Sequence, residues 1–488
     1  MGNRFYALLL LLAAAVGLAA ADVAVITTPT ERAHQRVHDL KVADLARNAP
    51  GAIPEQATGA IPCTDGMAGA FPCDGVDLLS FTPLADLGFV NTDVLSGGGA
   101  SDIWGWTSPD TGAEYVLLGH TNGVAAVDVS DPTAPVYLGS VPNLSPVQLI
   151  WHDIKVVADH AVIASESAVH GVQVVDLRRL DGMDGSSPQL PILPDSVYPL
   201  SGSQHNIVVN PDAEMAYVVG GGLITQGLPA DQCDSGLAMI DMSNPLLPLP
   251  AGCYAGSSYV HDAQCLTYEG PDADHAGRDL CIAFAEDHVS IVDVTDPASA
   301  GEISRIEYPA TAYTHQGWLS EDGRYLLFND ELDEQQSAEV THTRTMVWDV
   351  TDLDAPVEHL IAMRDGTDGN PATASIDHNN YTRDGLAYQS NYTSGLRVID
   401  LDALDDPDGP RWDEVAYFDT YPADDEATFN GTWSNYPYFE SGTVAVSGIG
   451  EGLFLLRLHD GVGDGPADPL EPADTPPAAA PTHFQRPD

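Results

Sequence analysis

Positive charge is what this chain has least of. Its 18 Lys and Arg stand against 72 Asp and Glu, and only Lys41 and Lys155 are lysines. The resulting net charge of -54 repels polyanions, which excludes nucleic acid as a partner. A surface of one sign suits an extracellular or salty medium, where screening cuts self-repulsion to about 8 Å or less. No long apolar run follows residue 21, so no stable membrane span is expected in the rest of the chain. A G-x-S-x-G elbow, an H-E-x-x-H helix, a P-loop and a dinucleotide fingerprint are all missing, and their chemistries have no foothold. The six cysteines include no C-x-x-C pair and lack the setting of a catalytic thiol.

The one apolar run, Phe5 to Leu18, follows Arg4 and ends in Ala19, Ala20 and Ala21. Charge, length and small-residue ending are those of a secretory signal, residues 1–21, cut after Ala21. The mature chain is therefore expected to be secreted, extracellular or periplasmic, where cysteines pair. The local pairing is Cys63–Cys73 around a Gly-rich loop, Cys233–Cys253 across a strand and Cys265–Cys281 on successive strands, each contributing roughly 3 kcal/mol on the chain-entropy model.

What the chain has in abundance is one phrase, an apolar strand closing on Asp or its equivalent. It returns as GVAAVDVSDP (123–132), GVQVVDL (171–177), GLAMIDMSNP (236–245), VSIVDVTDP (289–297), RTMVWDV (344–350), GLRVIDL (395–401) and GLFLLRL (452–458). A period of roughly 50 to 60 residues made only of short strands and turns indicates a β-propeller with one copy per blade. Each blade reads as strands a and b, the repeated strand c, a Pro-containing turn and an outer strand d such as VYLGSV (136–141). The Asp of each c strand, Asp128, Asp176, Asp241, Asp293, Asp349 and Asp400, reads as a turn former. The seventh c strand lacks a following d strand, whereas DLLSFTPLADLG (77–88) looks like a d strand with nothing before it. It is expected to complete the last blade and remove an open edge.

The fold class is thus all-β, a seven-bladed propeller over 76–460 closed by an N-terminal strand. A leader over 22–75 holds the disulfide loop and a short helix that starts at the capping box Thr28, Pro29 and Glu31 and packs on the ring's flank or rim. Residues 461–488, rich in Asp, Pro and Ala, form a disordered tail.

A second repeat marks the start of the a strands: His152-Asp153, His205-Asn206, His261-Asp262, His315-Gln316 and His378-Asn379, with Asp102 and Ser434-Asn435 at the same place in the flanking blades. Inner strands line a propeller's channel, so five imidazoles are expected at one mouth of it. His152, His205, His261, His315 and His378 are candidate metal ligands, and Asp102, Asp153, Asp262, Gln316, Asn379 and Asn435 candidate mouth residues. The b–c turns open on the same face with His120, Glu166, His170, Glu286 and the run from Asn329 to Glu334, among which Glu166, Glu286 and Asp330 are candidate bases. Imidazole beside carboxylate suits Zn, Cu, Mn or Fe, and carboxylate-rich loops suit Ca. Each His has a plainer reading as a strut that bonds its ring to the next blade's backbone. Trp104, Trp106, Trp151, Trp318, Tyr381 and Trp433 read as packing. Asn143, Asn380, Asn391 and Asn430 head N-x-[ST] triplets.

The phrases SDIWGW (101–106), HDIK (152–155), HDAQC (261–265), THQGWL (314–319), NDELDE (329–334), NYTSGLRVID (391–400) and WSNYPYF (433–439) together resemble the choice-of-anchor B family, exported bacterial proteins built of LVIVD-type propeller repeats. The resemblance spans roughly 63 to 458 and implies fold and export rather than a reaction. The chain departs from anchored members in its tail, PTHFQRPD, which has no apolar helix or sorting motif. The expected function is a secreted binding protein holding a metal ion or small ligand at the His-lined mouth. The alternatives are a metal-dependent hydrolase or oxidoreductase at the same site, and a structural or adhesive surface protein whose partner is a protein or glycan.

Overall fold

The computed structural model describes residues 39–43, 59–90 and 98–462, apart from 146–147, 168–169, 187–190, 203, 222–232, 234, 258 and 367–371. The signal, the capping box and most of the tail lie outside the described residues. The chain divides after Asp39, and the propeller belongs to the unit Leu40–Asp488.

Seven sheets occur among the described residues, each built on antiparallel neighbours. The first blade shows the plan: Ala100–Thr107, Glu114–His120, Gly123–Asp128 and Val136–Pro142 run from strand a to strand d. The repeated phrase is apolar on both sides because each sheet is sandwiched between two others. In the fourth blade Leu280, Ile282 and Phe284 pack toward the fifth, while the intervening Cys281 and Ala283 pack toward the third. Alternate side chains of a strand point to opposite faces, so a strand buried twice reads as continuous hydrophobicity. Seven apolar clusters, one at each blade junction, close the circle.

The clasp forms as expected. Val76–Pro83 pairs antiparallel with the last c strand, Gly452–Leu458, with Val76 opposite Leu458 and Pro83 opposite Gly452. The disulfide loop does more than a leader would. A hairpin of Met67–Ala68 and Phe71–Asp74 adds to the sixth blade beyond Asp413–Phe418, with Cys73 opposite Phe418. Phe71 seals this edge, its ring 5.6 Å from Phe418 and 5.2 Å from Phe454. All three expected disulfides are present.

The c-strand aspartates are turn formers. Asp128, Asp241, Asp293 and Asp349 each accept a hydrogen bond from the backbone N–H two residues on, as do Asp176 and Asp400. Of the four glycosylation triplets, Asn380, Asn391 and Asn430 are buried.

Candidate metal centre

Backbone geometry, rather than the His residues as such, decides what points into the channel. His261 falls between Val260 and Asp262 in a β-bulge of the strand Val260–Thr267, and His315 lies in the bulge between Thr314 and Gly317. A bulged residue leaves the ladder and its side chain is re-aimed. His205 and His378 stand just before the first ladder pairs of their blades, Asn206 with Val219 and Asn380 with Gln389. These four imidazoles form a continuous row, with ring centroids 4.2, 4.3 and 4.2 Å apart. His152, expected as the fifth member, stands outside it. It sits in ladder register opposite Ser165, and its ring faces His170 at 5.8 Å.

Strut and ligand turn out to be two ends of one ring. His261 Nδ1 donates to the carbonyl of His315 in the next blade (3.0 Å), and His378 Nδ1 donates to that of Trp433 (2.5 Å). A proton on Nδ1 leaves the lone pair on Nε2, directed away from the backbone. His205 Nδ1 lies 2.5 Å from Glu166 Oε1, so Glu166 orients a ring rather than standing alone as a base.

Into this row reaches Glu331, the residue after the strand Tyr325–Asp330. Its Oε1 is 3.3 Å from His378 Nε2 and 3.7 Å from His315 Nε2, and accepts from the Tyr392 hydroxyl at 2.6 Å. One ligand atom each from His261, His315 and Glu331 lie within 4.8 Å of one another, and all three residues are buried. His261 Nε2 and Glu331 Oε2 are buried without a hydrogen-bond partner. Acceptors converging on one point call for a cation, because lone pairs facing each other in a dry site repel. One cation, Lys41, meets the carboxylate of the group. Residues 28–38 of the expected leader helix lie outside the described residues, but Lys41, in the helical turn over 39–43, is 2% exposed and reaches the mouth with Nζ 2.7 Å from Glu331 Oε1. The ammonium also lies 5.2 Å from the Trp433 ring and 5.7 Å from Phe429, within cation–π range.

Burial and neighbouring charge set the protonation of this group. Burial lowers the proton affinity of His261, His315 and His378, the Lys41 charge lowers it further for all three and neighbouring imidazoles for the first two, and this outweighs the opposing pull of Glu331 on His261 and His378, so neutral rings with lone pairs are favoured. Burial alone would raise the Glu331 carboxyl, but Lys41 and then His378 hold it below the usual carboxylate range.

The model of the LVIVD repeat matches residues 114–142 and 277–307, which fall in the first and fourth blades. Two blades of the propeller thus carry LVIVD repeats. The match reaches the repeat and not the wider choice-of-anchor B grouping, and no curated protein matches the chain. Among solved structures, the β-propeller domain of Cps50 (Swd1) from Myceliophteria thermophila is similar at 12% identity and a TM-score of 0.42, over 75% of this chain and 98% of that one. A protein from Lactobacillus plantarum is similar at 13% identity and a TM-score of 0.43, over 72% and 88%.

Deeper in the channel the propeller holds its other lysine. Lys155 Nζ is 2.9 Å from Asp102 and 2.6 Å from Asp153, under the Trp104 ring at 4.7 Å. Asp262 lacks such a contact, and burial pushes its carboxyl up to about 7. A cavity of about 10 Å³ is lined by both layers, the four imidazoles and the Asp–Lys155 group, which is room for one water or ion. Asn379 reaches it and bonds Ser434 at 3.0 Å. Gln316 and Asn435 are not in its lining. Their amides clasp the neighbouring blade, Gln316 on Asn380 and Asn435 on Tyr388 and Ser390.

Of the candidate bases, Asp330 is consumed by structure, accepting from the N–H groups of Ala312, Tyr313 and Leu332 and from the Tyr308 hydroxyl. Glu286 is buried in its own b–c turn, its N–H on the Tyr259 carbonyl. Nothing in the sequence marks Lys41, Tyr392 or Phe429 for the site, Trp433 reads there as packing, and Glu331 stands there only as one of the run from Asn329 to Glu334. Glu331 was within reach of sequence reading: the residue after strand b is Glu166 in the second blade, Glu286 in the fourth and Glu331 in the fifth, so blade register selects Glu331 over Asp330.

Proposed function

We propose that this protein is an exported binding propeller whose channel mouth takes one divalent transition-metal ion, with His261 Nε2, His315 Nε2 and Glu331 as ligands and His378 Nε2 beside them. The reading is carried by the convergence of buried imidazole and carboxylate acceptors, two of them without a partner. Two imidazoles and a carboxylate suit Zn, Mn, Fe or Cu, whereas Ca prefers six to eight oxygens. Bonds from Nδ1 of His261 and His378 to backbone carbonyls fix ring orientation and tautomer, as outer partners of metal ligands do. The cavity on the other side of the imidazole row, lined by His261 and His315 but not by Glu331, is only about 10 Å³, room for an ion or a water rather than for the expected alternative of a small organic ligand. Export is supported by the N-terminal signal pattern and three disulfides, which suit an oxidising compartment.

Titration of the mature, metal-stripped protein with Co²⁺ tests this, since d–d absorption reports coordination. We expect one equivalent at saturation in the wild type and in the distant control His459→Ala. No site absorption is expected in His261→Ala or His315→Ala. Equal uptake by all four proteins would overturn the assignment.

A further inference from the structure

Lys41 holds the carboxylate that the site's imidazoles face, and His261 Nε2 beside it has no hydrogen-bond partner. Its ammonium lies 2.7 Å from Glu331 Oε1, in a cage whose other walls are the Trp433 and Phe429 rings. Both members of the pair are buried, with side-chain exposures of 3% and 0%. A divalent ion would take the same carboxylate at about 2.0 to 2.2 Å. Two cations on one buried carboxylate, a few ångströms apart and shielded from water, repel strongly. Lys41 and the ion therefore exclude each other.

We propose that Lys41 is a tethered cation standing in the metal's place, so that the site loads by exchange: a divalent ion binds only as the Lys41 ammonium leaves, and the leader competes with the ion for Glu331. This rests on the metal-binding reading above and adds its regulation. In the unloaded protein Lys41 neutralises a carboxylate that would otherwise be buried unpaired, an arrangement that is costly to break. The exchange therefore gives the Glu331 carboxylate a cationic partner in both states and sets a threshold ion concentration below which Lys41 keeps its place.

The near absence of lysine makes the test direct. Lys41 and Lys155 are the only side-chain amines, so acylation by an amine-reactive ester can be read at each by mass spectrometry. In the full mature chain we expect Lys41 to be protected without metal and to react at least tenfold faster with saturating Zn²⁺, while Lys155, held by Asp102 and Asp153, does not change. As a second measurement, Lys41→Met is expected to bind Co²⁺ at least tenfold more tightly than wild type. If the ion binds and Lys41 stays protected, or if both proteins bind it equally, the exchange is refuted and the metal site stands. If neither protein binds an ion, the metal site falls as well.

Discussion

At the scale of single residues, charge buried without a partner is the quantity that can be tested most sharply, and Glu451 supplies the case. It is 6% exposed, and burial pushes its carboxyl up to about 7 against only backbone support, from its own N–H and from the Gly450 N–H at 3.2 Å. Its folded-state value lies above the unfolded one of about 4.5, so the native state prefers the protonated form. The corresponding stability is complete below pH 4.5 and is lost as pH rises through 7. At pH 8 the ionised group costs on the order of 3 kcal/mol. Glu451→Gln should therefore leave stability near wild type at pH 5 and raise it at pH 8, by about 1 to 3 kcal/mol. Calorimetry at the two pH values decides, and an equal shift at both would rule out burial of the charge as the cause.

At the scale of elements, closure rests on Val76–Pro83, which supplies the seventh blade's outer strand from the other end of the chain. Leu78 lies at its centre, 0% exposed, against Tyr388, Val398, Phe454 and their neighbours. Truncation to Ala there removes contacts across the ring's closing junction and should cost about 2 to 5 kcal/mol. Leu249→Ala, on the outer strand of the third blade and 51% exposed, should change stability by about 0.5 kcal/mol or less. Urea unfolding of the two variants checks this, and equal midpoints would show that the clasp does not hold the ring shut. The element scale also explains which histidines meet. Those that left the ladder, at a bulge or before the first pair, joined the row, whereas His152 stayed in register with Ser165 and was turned toward His170.

For the whole molecule, a net charge of -54 acts against the folded state through self-repulsion. Repulsion among surface carboxylates destabilises the compact state and is screened by salt. The melting temperature is therefore expected to rise as NaCl is raised from about 10 mM to about 1 M, with the buried Lys41–Glu331 and Arg344–Asp333 pairs screened far less. A melting temperature that falls with salt would mean that exposed ion pairs, such as Arg178–Asp159, outweigh the repulsion.

The blade count, the clasp, the disulfides and the turn-forming aspartates were legible in the chain because each is a local pattern repeated at fixed spacing. A strand covered on both faces must be apolar throughout, and a turn after it must be capped, wherever it sits in the ring. The repeat also placed histidines at equivalent positions. Which of them converge was settled by bulges and by where each ladder begins, which depend on strand pairing and leave no mark in residue type. Glu331 and Lys41 became a pair only in three dimensions. One ends a strand of the fifth blade, the other lies far upstream in the leader, and burial in a shared dry mouth made their opposite charges partners.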